Sequence, residues 1–138
     1  DVRVLFDGDD ESGLWNPNGI ALDPEERFLY VGISSYKNRK RSGIYCFSLM
    51  PDGSIDLTSG RDKPRIPIKG PDGIAVHRNG DIYFTAGGKV EVYDRYGRRR
   101  GSIKLPGGSG TNLCFSPERP FNQLFITTWN ALYTVTVE

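Results

Sequence analysis

The chain has 138 residues, 37% of them hydrophobic and 25% charged, with a formal net charge of +1. That length fits one globular domain, and the near-balanced charge argues against strong attraction to nucleic acid or an anionic membrane. No apolar stretch approaches the ~20 residues needed to cross a bilayer as a helix. No signal peptide opens at Asp1. A soluble protein is expected, cytoplasmic in preference, or secreted or periplasmic if the N-terminus, which lacks Met, has been processed.

Period-two alternation recurs along the chain, and no helical period is sustained. A first apolar run, Val2 to Phe6, ends in the turn Asp7-Gly8. Strands are then predicted at 20–22, 29–33, 43–48 and 65–68. A second group follows at 74–76, 82–85, 90–94 and 101–104, and a third at 113–115, 124–127 and 132–137. Turn residues separate them, among them Pro51-Asp52-Gly53, Asn79-Gly80 and Pro106-Gly107-Gly108. Asn79-Gly80 between apolar runs is a strong hairpin signal.

The grouping reflects an internal repeat. Pro17-Asn18-Gly19-Ile20-Ala21-Leu22 returns as Pro71-Asp72-Gly73-Ile74-Ala75-Val76, and more weakly from Thr111-Asn112-Leu113 onward. A repeat of roughly 40 to 55 residues built from short strands reads as an all-β β-propeller. The units are about 17–70, 71–110 and 111–138, each a four-stranded blade of one domain, 1–138. The third unit lacks a fourth strand, and Val2 to Phe6 is the strand left over. It is therefore expected to close the last blade, most naturally in a partner chain, which would remove an open sheet edge. Three blades cannot close a ring alone, so a homodimer or a missing N-terminal half is expected.

The repeat aligns Asn18, Asp72 and Asn112 at one point of each unit, so that their oxygens face one another around a central channel. Two amides and a carboxylate are hard donors, suited to Ca²⁺ or Mg²⁺ before zinc. The sole histidine, His77, lies five residues past Asp72 and reads as a turn-facing residue, which disfavours a Ser-His-Asp triad. Asn-Gly and Asp-Gly are also common turn pairs, so a purely structural role for both phrases stands as the alternative.

The phrases Pro17 to Val31, Pro71 to Ala86, Val90 to Leu105 and Thr111 to Val135 resemble the gluconolactonase, senescence-marker-protein and luciferin-regenerating-enzyme family of six-bladed propellers. The resemblance implies half of such a propeller, its later half. It implies a metal-dependent hydrolase of the lactonase or esterase type acting on a small lactone. It further implies Asn18 and Asp72 as ligands of Ca²⁺ or another divalent cation, Asp72 as catalytic base, and Asn112 as a substrate-side position. The family's Glu ligand from the first blade has no counterpart here. The competing reading is a non-catalytic half-propeller that binds or assembles.

Trp15, just before Asn18, is placed at the channel mouth as a substrate contact, with Trp129 a weaker candidate; core packing is the competing role for both. Cys46 and Cys114 sit in apolar strand patterns and are expected as buried thiols. The basic runs 37–41 and 95–100 are read as solvated loops on the blade exterior.

Overall fold

A computed structural model describes residues 1–7 and 13–138. Among them are twelve strands in three antiparallel sheets and no α-helix. The first sheet holds β1 (Pro17–Leu22), β2 (Phe28–Ile33), β3 (Gly43–Leu49), β4 (Ile55–Asp56) and β5 (Ile66–Pro67). The second holds β6 (Ile74–Val76), β7 (Ile82–Ala86), β8 (Lys89–Tyr93) and β9 (Arg99–Lys104). The third holds β10 (Gly110–Phe115), β11 (Gln123–Thr128) and β12 (Leu132–Thr136). Each sheet is an up-and-down meander, as propeller blades are.

The outermost strand of the first blade is split. Both β4 and β5 pair with β3, at Ser48↔Asp56 and Ile44↔Ile66. Between them the chain leaves the sheet through a single 3-10 turn at Leu57–Ser59, where the Asp56 carboxylate accepts from Thr58 N at 3.0 Å. The two-residue piece β4 carries no alternation long enough to read from sequence.

Alternation explains the packing. On one face of the first sheet, Tyr30, Ile44, Cys46 and Ile66 meet Ile74, Ile82 and Phe84 of the second. On the far face of the second sheet, Tyr83, Val90 and Val92 meet Leu113, Leu124 and Ile126 of the third. Phe84 and Tyr83 are neighbours in β7 and point to opposite faces, so one strand feeds both cores. Fully burying a side chain such as Phe84 contributes about 2–3 kcal/mol. Glu91, buried beside Phe84, is held by Lys89 at 2.6 Å and Arg99 at 3.1 Å. Those contacts outweigh its burial and keep its carboxyl below the ordinary value.

The segment Val2 to Phe6 does not form the expected closing strand within the chain. It is assigned no strand, Val2 and Val4 are exposed, and the third sheet has three strands among the described residues. Phe6 instead packs at 6.2 Å from Phe47, on the outer face of the first sheet. There Leu14, Val31, Ile33, Tyr45 and Phe47 make a third apolar cluster. The reason is proximity: the large apolar side chains of β2 and β3 lie within reach of the N-terminal segment, whereas β12 belongs to the opposite sheet. Leu14 is 1% exposed. Leu14→Ala should therefore cost about 3 kcal/mol of unfolding free energy, read as a lower urea midpoint at unchanged slope. A loss below about 1 kcal/mol would show that this cover is not part of the core.

Cys114 departs from expectation too. Cys46 is buried, but Cys114 is exposed, on a face of β10 that no other sheet covers among the described residues.

Candidate functional site

The inner strands β1, β6 and β10 are the innermost of the three sheets. Each begins with the same irregularity. In β1, Pro17 pairs with Ile33 and Ile20 with Val31, so Asn18 and Gly19 together face Gly32. In the second sheet Asp72 N donates to Thr85 O at 2.9 Å and Gly73 O accepts from Thr85 N at 3.0 Å, so Asp72 and Gly73 share Thr85. In β10, Gly110 pairs with Thr128 and Asn112 with Thr127, which leaves Thr111 as the extra residue. Three bulges at one level re-aim the first residue of each pair.

This register corrects the sequence alignment by one residue. The buried Ile74 and Leu113 occupy one position, pairing with Phe84 and Ile126. Thr111 is therefore the equivalent of Asn18 and Asp72, and Asn112 takes the glycine position. Matching the third copy on its Asn selects Asn112, but the apolar residue sets the face, and a slip of one residue exchanges the faces. The position of Leu113 was the signal that could have found Thr111. The Thr111 hydroxyl lies 2.9 Å from that of Thr127. Asn112 accepts from its neighbour Leu113 N at 2.9 Å and lines a shallow hollow of about 160 Å³ with Cys114, Phe125 and Leu132.

The glycines are not turn residues. Gly19 lies within β1 and Gly73 directly before β6, and neither has a positive φ. They are required by close approach. A Cβ on Gly19 would lie 2.0 Å from Asp72 O, and one on Gly73 2.5 Å from Asn112 Cα. Gly19 N donates to Asp72 O at 2.8 Å, a backbone bond from one blade to the next. The Ser34 hydroxyl adds a second tie, to Pro71 O.

These ties bring Asn18 and Asp72 together. Partial burial raises the Asp72 carboxyl above its ordinary value, and a hydrogen bond from the Asn18 side chain partly offsets this. An amide that donates its N–H to Asp72 leaves its oxygen available to a cation. No Lys, Arg or His forms an ion pair with Asp72 among the described residues. An unpaired, partly buried carboxylate beside an amide oxygen is a donor set for a hard cation. It supplies two of the six to eight oxygens that Ca²⁺ takes, and no group of three His, Cys, Asp or Glu is present among the described residues.

The other candidates divide between the two ends of the sheets. Trp15 precedes β1 at the Asn18 end, half-buried, with Lys37 Nζ 3.2 Å from its ring centre. Trp129, in the β11–β12 turn at that end, is 82% exposed. His77 lies at the opposite end of β6, in the turn closed by Gly80 with φ +90°, and packs against Phe115 at 5.0 Å. It does not reach Asp72.

Comparison with known proteins gives the family. The family model described as SMP-30/Gluconolactonase/LRE-like region matches residues 9–130. A gluconolactonase from Zymomonas mobilis is 33% identical over 112 residues, covering 76% of this chain and 31% of that protein. The structure of a gluconolactonase from Xanthomonas campestris superposes with TM-score 0.71 at 29% identity, over 88% of this chain and 38% of the other. Regucalcin from Agrobacterium tumefaciens, a calcium-binding protein, shares the fold at TM-score 0.61 and 21% identity, over 80% of this chain and 37% of its own. The chain thus spans about a third of the length of these relatives. With repeated bulges, blade-to-blade glycines and this match over most of its length, the chain belongs to the SMP-30/gluconolactonase/LRE-like family.

Proposed function

We propose that the chain supplies part of the channel wall of a divalent-cation-dependent lactonase or esterase, with Asn18 and Asp72 holding Ca²⁺ or Mg²⁺. The observation that carries this reading is the Asp72 carboxylate, partly buried, hydrogen-bonded by Asn18 and without a cationic side chain. A bound cation would polarise the lactone carbonyl and stabilise the negative charge that develops on its oxygen. Asp72 would take the proton from the attacking water. The Asn18 amide fixes the orientation of that carboxylate. Trp15 flanks the substrate with a flat apolar face; Asn112, displaced to the glycine position and bonded to Leu113 N, does not, and Thr111 offers a hydroxyl in its place. The remaining cation ligands come from residues outside the described part of the chain or from another chain.

The test is hydrolysis of a sugar lactone with and without added Ca²⁺, together with metal content after dialysis. Calcium-dependent turnover is expected. Retained metal without turnover would instead favour a binding module, and neither metal nor turnover would remove the reading.

The partner is proposed to be a second copy. The edge of β12, which pairs with no further strand among the described residues, and the exposed Val2 and Val4 support an exchange of N-terminal strands between two chains. Sedimentation should then give about twice 15.4 kDa, falling toward one copy when residues 1–7 are deleted. A stable monomer would instead point to a separate N-terminal half as the partner.

A further inference from the structure

At the end of the sheets opposite Asn18 and Asp72, a slot of about 110 Å³ opens at the seam between the first two blades. Arg65 enters it from the residue before β5 and Arg95 from the β8–β9 turn, with Pro24, Phe28 and Tyr96 as walls. Arg65 Nη1 donates to Arg95 O at 2.8 Å, which holds the two residues together. The contacts of the Arg95 guanidinium are long: 3.5 Å to Asn79 O and 3.8 Å to Glu25. Each guanidinium carries five N–H donors, so most donors in this slot lack a close acceptor among the described residues.

Nearby basic side chains are accounted for differently. Lys89 and Arg99 are paired with Glu91, and Arg98 with Asp94. The negative groups facing the slot are also committed. Asp23 accepts from Arg27 N and Phe28 N, both at 2.6 Å. Glu25 lies 3.4 Å from Arg27. The floor of the slot is Tyr30, hydrogen-bonded to Cys46; burial pushes its phenol up to about 12, so it adds no charge at neutral pH. Two guanidinium groups thus share a pocket with Pro24, Phe28 and Tyr96; its one lining carboxylate, Asp23, is bonded to backbone N–H groups, and Glu25 reaches Arg95 only at 3.8 Å.

We propose that this seam binds a phosphate-class oxyanion between Arg65 and Arg95. The fork of donors on each Arg matches tetrahedral oxygens in pairs. The volume holds one such group and leaves no room for a stacked base or a length of peptide. A second, open hollow of about 580 Å³ shares Arg65 with the slot and is lined further by Thr58, Ser59, Asp62 and Lys63 over Cys46. It gives space for the organic part of a phosphate monoester. The site is separate from the Asn18–Asp72 pair and does not depend on the hydrolase reading.

The experiment is calorimetric titration of the full chain with inorganic phosphate and with a hexose monophosphate, at constant ionic strength with chloride as reference anion. Saturable phosphate binding is expected. Arg95→Gln should weaken it at least about tenfold, and Arg95→Lys, which keeps the charge and loses the fork, several-fold. Arg65→Gln should act similarly; if it fails to fold, Arg95→Gln decides, because the Arg95 side chain makes only long contacts. Asp72→Asn should bind phosphate as the unaltered chain does. Tighter binding of the monoester would identify an organic phosphate as the ligand, and equal binding would identify phosphate itself. Heats no larger than those of chloride, or full affinity in Arg95→Gln, would overturn the proposal.

Discussion

Asp72→Asn is expected to abolish calcium-dependent lactone hydrolysis, lowering the rate by about 10² or more, while leaving the fold intact. The amide has the shape of the carboxylate but can neither take a proton nor balance a divalent charge. Stability should move the other way. The folded Asp72 carboxyl sits above the ordinary value of 3.8 because burial disfavours its charge. Its contribution to stability is therefore fully present below pH 3.8 and is lost as pH rises through the folded value. At neutral pH the ionised side chain opposes folding, and Asn removes that opposition. Thermal melts at pH 7 should show the variant equal to or above the parent, with the difference vanishing near pH 3. Added Ca²⁺ should raise the parent's melting temperature and not the variant's. A variant that unfolds at neutral pH would make Asp72 a structural residue. One that keeps full activity would remove it from the chemistry.

Gly19→Ala is expected to be among the most damaging single-methyl additions in this chain. Its Cβ would lie 2.0 Å from Asp72 O and 2.9 Å from Ile74 N, both backbone atoms that no rotamer change can move. Relief requires the first two blades to separate at their inner strands. That breaks the 2.8 Å bond from Gly19 N to Asp72 O and loosens the packing of Ile74. Overpacking of a tight interior costs about 1–3 kcal/mol, and loss of the bond adds about 1 kcal/mol, so a total of about 3 kcal/mol is expected. Gly80→Ala makes a useful contrast. It is strained by a positive φ, but the Cβ there meets the Arg95 side chain, whose far end can swing away. Urea unfolding of both variants compares the two mechanisms. A Gly19→Ala protein as stable as the parent would mean that the blades are not held at this point. Because the same contact positions Asp72, activity should fall with stability in Gly19→Ala.

Much of this protein was legible in its residues. Alternation such as Leu29-Tyr30-Val31 and Tyr83-Phe84 marked strands with two buried faces, and the recurrence of Pro-Asn-Gly as Pro-Asp-Gly marked the blades. Asn18 and Asp72 could be paired from those phrases alone, since a repeat places equivalent residues at equivalent points. What sequence could not supply was anything that depends on the neighbouring sheet. Gly19 and Gly73 looked like turn formers, yet they are demanded by a strand in the next blade. Thr111 displaces Asn112 as the equivalent of Asn18 and Asp72 once Leu113, buried beside the second sheet, and not the Asn is taken to fix the register. Phe6 could pair with a strand or pack on a face. The apolar outer surface of the first sheet decided, through contacts forty residues away along the chain. Local propensity and periodicity act within one strand or hairpin, so they are written in the chain order. Close approach, register across blades and the meeting of Arg65 with Arg95 arise between segments far apart in sequence, and only the packed sheets determine them.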